Sequence, residues 1–355
     1  MADLIITDCP ANVRETFIGF GFKPQSALNV KNLDAELWSL TKTNATLATV
    51  TPQTETDALD IGKGDEFPTQ IFPTSMDASF PITKYGSSEF FAWLFCFATG
   101  HATKAVAGTG GFDYQATLSD PVVNCINLPP FSYVEQIRTG ANAVVDRGLI
   151  GMVINDFQFD LASGPGRANC TAQCNCVGTG AFSNPSGSVI PPVTTEHFLN
   201  AASALISIAG IDYVLSKSFI SLSFKYNNNV RLPSGYFPGS GTQNGYAIRG
   251  RMEYGNRDIS LTFQARAAKG STELNMLLTQ PMPEHPIAVS VTGAAIGTAN
   301  HMMKISAPRT VLSSVVVGDA DGIVTVDCTV TFLKPTSGAM ITMEATTTQD
   351  AILGL

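Results

Sequence analysis

Residues Asp65–Gly100 read DEFPTQIFPTSMDASFPITKYGSSEFFAWLFCFATG, and the reading of this stretch decides the fold. Its first part is extended: Pro68 and Pro73 oppose a helix, and Ser79-Phe80-Pro81-Ile82-Thr83 follows. A helix then opens near Gly86-Ser87-Ser88-Glu89. A serine hydroxyl there caps a free backbone N–H of the first turn, and the early glutamate suits the positive end of the helix dipole. Phe90, Phe91, Trp93, Leu94, Phe95 and Phe97 come next, too much aromatic surface for a helix that faces water. At roughly 1.5–3 kcal/mol per large side chain buried, the helix anchors its domain. Phe90, Trp93, Leu94 and Phe97 are the expected core anchors.

The same pattern returns later in the chain. Gly270-Ser271-Thr272-Glu273-Leu274 repeats Gly86-Ser87-Ser88-Glu89-Phe90 at an offset of 184 positions, and the alternating strand Ile259–Gln264 precedes it. At that offset Leu37-Trp38-Ser39-Leu40 faces Ser221-Leu222-Ser223-Phe224, and Asn44 faces Asn228. Further on, Gly148–Leu161 stands opposite Gly322–Leu333. Strand, strand, helix, strands in one order twice reads as an internal repeat, with chance similarity between two β-rich halves as the alternative.

Working outward, 355 residues suffice for one large or two ordinary domains with ample core. Hydrophobic residues make up 44% and charged residues only 14%, so much of the surface is expected to be covered by other subunits. A net charge of −8 argues against a general nucleic-acid binder, which needs a basic footprint, and is compatible with a surface that repels nucleic acid. Met1-Ala2-Asp3-Leu4-Ile5-Ile6 lacks the basic start of a signal peptide. The longest apolar run, Phe90–Ala98, is too short for a bilayer, so no membrane insertion is expected. Seven cysteines in unlike contexts favour reduced thiols.

Taken in order, residues 1–32 show no period and read as an N-terminal arm. The span to Gly64 adds one strand around Trp38. Phe112–Leu118, Phe131–Ile137 and Met152–Leu161 read as strands, the last with Phe157, Phe159 and Leu161 on one face and Asp156, Gln158 and Asp160 on the other. Ser163–Pro192 is small, polar and glycine-rich, and reads as a long surface loop joining two halves. Thr195–Ala202 is expected to be a short helix and Ala204–Ile208 extended. Ile220, Leu222, Phe224 and Tyr226 alternate with polar residues, as do Val324, Val326, Cys328, Val330 and Phe332. Val230–Gly250 reads as a loop, and Ile352-Leu353 as a docking segment in the tail.

Chemistry is thin. Cys170, Cys174 and Cys176 form C-x3-C-x-C with His197 the nearest histidine, but a zinc site normally pairs two short-spaced motifs, and free thiols are the better reading. His101, His197, His285 and His301 are scattered and read as structural. No G-x-S-x-G elbow and no P-loop spacing occur, and no acidic pair recommends itself for glycoside hydrolysis. No catalytic residue, metal or cofactor is expected, and the chain is not read as an enzyme.

Gly62-Lys63-Gly64-Asp65-Glu66-Phe67-Pro68, the strand, helix and Phe112-Asp113-Tyr114 that follow, and the later Leu222-Ser223-Phe224, Asn227-Asn228-Asn229 and Arg257-Asp258-Ile259-Ser260-Leu261 resemble the tail tube proteins of tailed bacteriophages over roughly residues 35 to 340. Ser163–Pro192 departs from that pattern and reads as a surface decoration or an inter-ring contact. The resemblance implies a mainly β fold: two tandem β-sandwich or barrel domains, each with one short flanking helix, in a ring with a continuous inner barrel. The corresponding divisions are 1–32 (arm), 33–165 (first domain), 166–213 (linker or insertion), 214–340 (second domain) and 341–355 (tail). A doubled chain implies a trimeric, pseudo-hexameric ring, with a plain hexamer the alternative. Stacked rings then form a conduit for DNA in the virion tail, assembled in the host cytoplasm. Its partners would be other copies of the chain, a tape measure protein, and terminator and tip proteins. Asp156, Asp160 and Asp327 are the candidate lumen-lining residues, with an outer solvated face the alternative. The other readings are a decoration or baseplate component, or the tube of a phage-derived injection device.

Overall fold

The computed structural model describes residues 16–39, 47–57, 70–118, 128–139, 142–164, 166–183, 194–213, 216–231, 235–239, 241–243, 245–267, 272–279, 282–320 and 322–355. The first half holds β1 (Thr16–Gly21), β2 (Leu37–Trp38), β3 (Thr49–Thr56), β4 (Ile71–Tyr85), α1 (Ser88–Thr99), β5 (Ala102–Ala107), β6 (Gly111–Leu118), β7 (Phe131–Thr139), β8 (Asn142–Ala162), β9 (Cys170–Gly178) and β10 (Phe182–Ser183). The middle holds β11 (Ala204–Ile208), β12 (Ile211–Asp212), β13 (Phe219–Asn227), β14 (Val230–Arg231), β15 (Thr242–Gln243), β16 (Tyr246–Ala247) and β17 (Glu253–Tyr254). The last part holds β18 (Asp258–Arg266), α2 (Thr272–Leu278), β19 (His285–Ile296), β20 (Ala299–Ala320), β21 (Ile323–Phe332) and β22 (Ile341–Thr347).

Hydrogen-bonded pairing sorts the main strands into three sheet regions. The first runs β3-β4-β9-β8-β13-β18-β21-β20, antiparallel throughout. The second runs β12-β11-β19-β20-β22-β6-β5. The third runs β2-β1-β7-β8-β10. Two long strands pass between regions: β8 leaves the third for the first, and β20 leaves the second for the first. In β8 the change falls at Gly151, whose φ of +68° a side chain would strain.

α1 sits where the three regions meet. Ser87 caps it, its hydroxyl accepting from the Phe90 N–H at 3.3 Å, and Gly100 ends it at φ 71°. No β-branched residue interrupts the helix before Thr99, but its aromatics are only middling helix formers, so the cap and burial rather than propensity carry it. Gly86 lets its N-terminus approach β9: a Cβ there would stand 2.7 Å from Cys170 Sγ. Every α1 residue is buried, including Phe90, Trp93, Leu94 and Phe97. Trp93 packs on Phe20 of β1 (4.6 Å between centroids) and Phe131 of β7 (5.2 Å), and its indole N–H donates to the Gly21 carbonyl at 3.0 Å. On another side Phe91 meets Phe159 (5.4 Å) and Phe95 meets Phe157 (6.0 Å), both of β8. β22 and β6 pack against the helix from the second region. α1 is therefore interior to the fold rather than flanking it. α2 is peripheral, with Thr272 and Asn275 exposed and Glu273 buried.

Several expectations from the sequence need correction. Ser163–Pro192 is not one long surface loop: its residues Cys170–Gly178 form β9, which lies between β4 and β8, and 184–192 lie outside the described residues. The cysteines are the inward face of that strand, with Cys170, Cys174 and Cys176 all buried beside Ala172, so they decorate no surface. Cysteine behaves here as a small hydrophobe, and its alternation with Thr, Gln and Asn was masked by glycine-rich flanks. The N-terminal region contains β1, and the described residues of the span to Gly64 contain three strands rather than one. Thr195–Ala202 is not helical beyond the single turn Ala201–Ser203. It lies extended across the start of α1, with Phe198 bridged to Ser87. The expected alignment of the two halves also shifts. Leu37-Trp38 belongs to the third sheet region while Ser221–Phe224 lies in the first, and Gly322–Leu333 forms β21, whose position matches β9 and not β8. The tail does dock within its own chain: Ile352 is buried, and Leu353 N–H donates to the Phe22 carbonyl. The 62–68 block lies outside the described residues, as do Asn44, Cys9 and Cys125.

α1 packs against all three sheet regions, and Trp93→Ala removes its packing on β1 and β7 of the third and its bond to the Gly21 carbonyl. The expected loss is about 3–5 kcal/mol, read as a lower urea midpoint for the soluble chain. An unchanged midpoint contradicts the central role of the helix.

Candidate functional site

The first sheet region has one apolar and one polar face over four adjacent strands. Phe157, Phe159 and Leu161 of β8, Leu222, Phe224 and Tyr226 of β13, Leu261, Phe263 and Ala265 of β18, and Val326, Cys328 and Val330 of β21 are buried on the apolar side. The other parity gives Asp156, Gln158 and Asp160, then Ser221, Ser223, Lys225 and Asn227, then Ser260, Thr262 and Gln264, then Asp327 and Thr329. Asp160 sits opposite Ser223, Ser223 opposite Thr262, and Thr262 opposite Thr329. Asp156, Asp160 and Asp327 thus share one surface, although far apart in sequence. Part of it forms an open depression of about 450 Å³.

Each of these carboxylates is held by a neighbouring amide. Asn175 Nδ2 donates to Asp156 at 2.7 Å, Gln158 Nε2 donates to both oxygens of Asp160 at 2.7 and 2.8 Å, and Gln264 Nε2 donates to Asp327 at 2.7 Å. The carboxylates Asp156, Asp160, Asp258 and Asp327 outnumber the cations Lys225 and Arg266 on this face. Amides and hydroxyls fill most of what lies between. Such a surface offers a polyanion few cations to pair with and a negative field.

The borders of this sheet are unpaired among the described residues. β3 pairs only with β4, and β20 beyond Thr310 pairs only with β21. At the turn between β20 and β21, Val316, Val317, Ile323 and Val324 are exposed; Ile71 and Phe72 are exposed at the opposite end of the sheet. Exposed edges and apolar tips of this kind are association surfaces unless something covers them.

One buried polar cluster lies elsewhere, at the N-terminus of α1, and no motif in the sequence signals it. Glu89 is buried and accepts from the His197 backbone N–H (2.8 Å) and from Thr347 Oγ1 (3.2 Å), with His197 Nδ1 at 2.8 Å. Ser88 Oγ lies 2.7 Å from His301 Nδ1. Lys84 pairs with Glu196, which also accepts from Ser87 Oγ at 2.7 Å. Burial pulls Lys84 below the ordinary lysine range, and the Glu196 carboxylate opposes that pull. Glu89, His197 and His301 bring possible ligand atoms within 4.8 Å of one another. However, the two imidazoles are stacked nearly parallel, 3.7 Å apart and tilted by only 17°. An ion shared by parallel rings lies far out of both ring planes, away from the nitrogen lone pairs. The arrangement suits hydrogen bonds, and the cluster pins the 194–199 segment to α1. The cysteines do not join it, and burial pushes the Cys170 thiol up to about 12, which keeps it protonated rather than metal-binding.

His301 makes this cluster pH-sensitive. Burial lowers its pKa and neighbouring His197 lowers it further, while Glu89 opposes both. The unfolded chain then binds the proton more readily than the folded one. The stabilising contribution is complete above the ordinary value of 6.5 and is lost as pH falls through the lower folded pKa. Thermal melts between pH 8 and 5 are expected to show a falling midpoint below about pH 6.5, and a shallower fall in His301→Asn.

Comparison with curated proteins finds no match. Residues 18–332 match the family described as "Phage tail tube protein". That match covers most of a β-rich chain whose sheet has a polar face and open borders, and the protein belongs to the phage tail tube family, structural components of the virion tail.

Proposed function

We propose that the chain is the ring-forming subunit of the tube through which DNA passes from capsid to host. Three copies close the first sheet region into one barrel, and the rings stack. The observation that carries this reading is the strand order β3-β4-β9-β8 followed by β13-β18-β21-β20. In each set the strands come first, second, fourth, third in chain order, with a helix after the second. The chain thus carries two like four-stranded units, and three chains supply six. Spaced about 4.8 Å apart, such a closed set of strands has a backbone diameter of roughly 35–40 Å before tilt widens it. Six chains would double that, far beyond what a duplex needs. Trimeric closure is therefore favoured over a hexamer.

In this ring the face with Asp156, Asp160 and Asp327 turns to the bore and α1 lies in the wall. Acidic and amide side chains leave the DNA backbone little to bind, so it slides. The apolar tip at Val317, Ile323 and Val324 and the apolar end at Ile71 and Phe72 lie at opposite ends of the sheet, which supports head-to-tail stacking of rings. The tape measure protein would occupy the bore during assembly in the host cytoplasm, and terminator and tip proteins would meet the two ends. No enzymatic step is involved.

Electron microscopy of the purified chain is expected to show tubes with three chains per ring. Six chains per ring, or no tube at high concentration, overturns the reading. Reversing the charge at Asp156, Asp160 and Asp327 together to Lys is expected to leave tubes intact and slow DNA ejection, with recovery at higher salt as the added contacts are screened. Unchanged ejection at low salt contradicts the bore assignment.

A further inference from the structure

We infer that the joint between neighbouring copies repeats a joint already present inside the chain: β20 of one copy pairs with β3 of the next in the register that β8 makes with β13, which sets Val316 opposite Thr49. This rests on the ring reading and adds the partner edges and the residue pairs.

The internal joint is an antiparallel ladder from Ala162–Ser221 to Asp156–Asn227. It links the last strand of one four-stranded set to the first strand of the other. The same two positions at the outer borders are β20 and β3, and these are the borders left unpaired among the described residues. β8 and β20 run one way in the sheet and β13 and β3 the other, so the outer pair meets antiparallel as the inner pair does.

A shared irregularity fixes the register. β8 carries one extra residue, Asn155, between Ile154 and Asp156 where it pairs with β9; β20 carries one extra residue, Ser313, between Leu312 and Ser314 where it pairs with β21. Matching the two bulges places Val316 where Gln158 stands and Ser314 where Asp156 stands. The match also aligns buried residues: Leu312 with Ile154, Cys328 with Cys174, and Val330 with Cys176. Following the ladders across the sheet sets Ile82 with Phe263 and Ser79 with Ser260. Ser79 faces Thr49 and Ser260 faces Lys225, so Thr49 stands where Lys225 does. Inside the chain Gln158 faces Lys225 and Asp156 faces Asn227. Between copies, Val316 then faces Thr49 and Ser314 faces Thr51.

Pro52 marks the lower end of this ladder. Its counterpart is Asn228, whose backbone N–H donates to the Asn155 carbonyl at 2.7 Å. Proline lacks that donor, so pairing stops at Thr51, and a proline in β3 otherwise fits only a border strand. β3 enters this position rigidly, because the Ala48 N–H donates to the buried carboxylate of Glu135 at 3.0 Å.

The test is a paired-cysteine cross-link in assembled tubes. Val316→Cys with Thr49→Cys, and separately Ser314→Cys with Thr51→Cys, are expected to yield covalent dimers and trimers on mild oxidation, seen on non-reducing gels. Val316→Cys with Gln53→Cys and each single variant are expected to stay monomeric. Tubes whose subunits link only through the Gln53 pair overturn the register while sparing the ring. A wild-type chain that forms no tubes fells both. Hydrogen exchange on wild-type tubes probes the same joint without substitutions: those amides in 49–51 and 314–318 that point away from β4 and β21 are expected to slow at least tenfold relative to dissociated subunits. Equal exchange in the two states overturns the joint even if engineered variants fail to assemble.

Discussion

Backbone N–H and C=O groups at a sheet border must find partners, and this constraint governs the molecule. The first sheet region ends in β3 on one side and the distal part of β20 on the other, and neither border is paired among the described residues. Natural sheets blunt such borders with short strands, inward charges or covering loops. Here one border strand, β3, carries a proline at one position, Pro52, and β20 ends in exposed valines. In the proposed ring, closure by further copies would satisfy the groups, and the −8 net charge with a polar inner face would keep the closed surface from holding nucleic acid.

What makes the borders usable is the stiffness behind them. α1 is buried on every side: Trp93 meets the third region, Phe91 and Phe95 meet β8 in the first, and β22 and β6 of the second pack against it. The polar cluster at its N-terminus ties the segment between the two four-stranded sets to the same helix through Glu196 and His197. Both ties resist relative movement of the sets, so β3 and β20 are presented at a fixed separation and tilt. A helix laid on the outside of one sheet would leave the two sets freer to shift.

Much of this was legible in the chain. The serine cap and aromatic run announced α1, and the alternation of Phe157, Phe159 and Leu161 with Asp156, Gln158 and Asp160 announced the faces of β8. Legibility failed where side chains are small. β9 presents Cys170, Ala172, Cys174 and Cys176 to the core, and no scale marks these as strongly as Ile or Phe. β1 contains two glycines in TFIGFG, which dilute its period. The Glu89, His197 and His301 cluster draws on three distant segments, and only the tertiary fold brings them together. The shared order of elements in the two halves was visible, but the pairing of their strands was not. Alternating strands look alike in sequence, and the bulges at Asn155 and Ser313 that set β8 beside β20 show only in the ladders.

The central claim is that the chain completes its sheet with copies of itself. Sedimentation velocity of the purified protein over a rising concentration series tests it most directly. The account predicts conversion from single chains to particles whose masses are multiples of three chains, with no stable dimer. A single boundary at the mass of one chain, unchanged at the highest concentration, contradicts it.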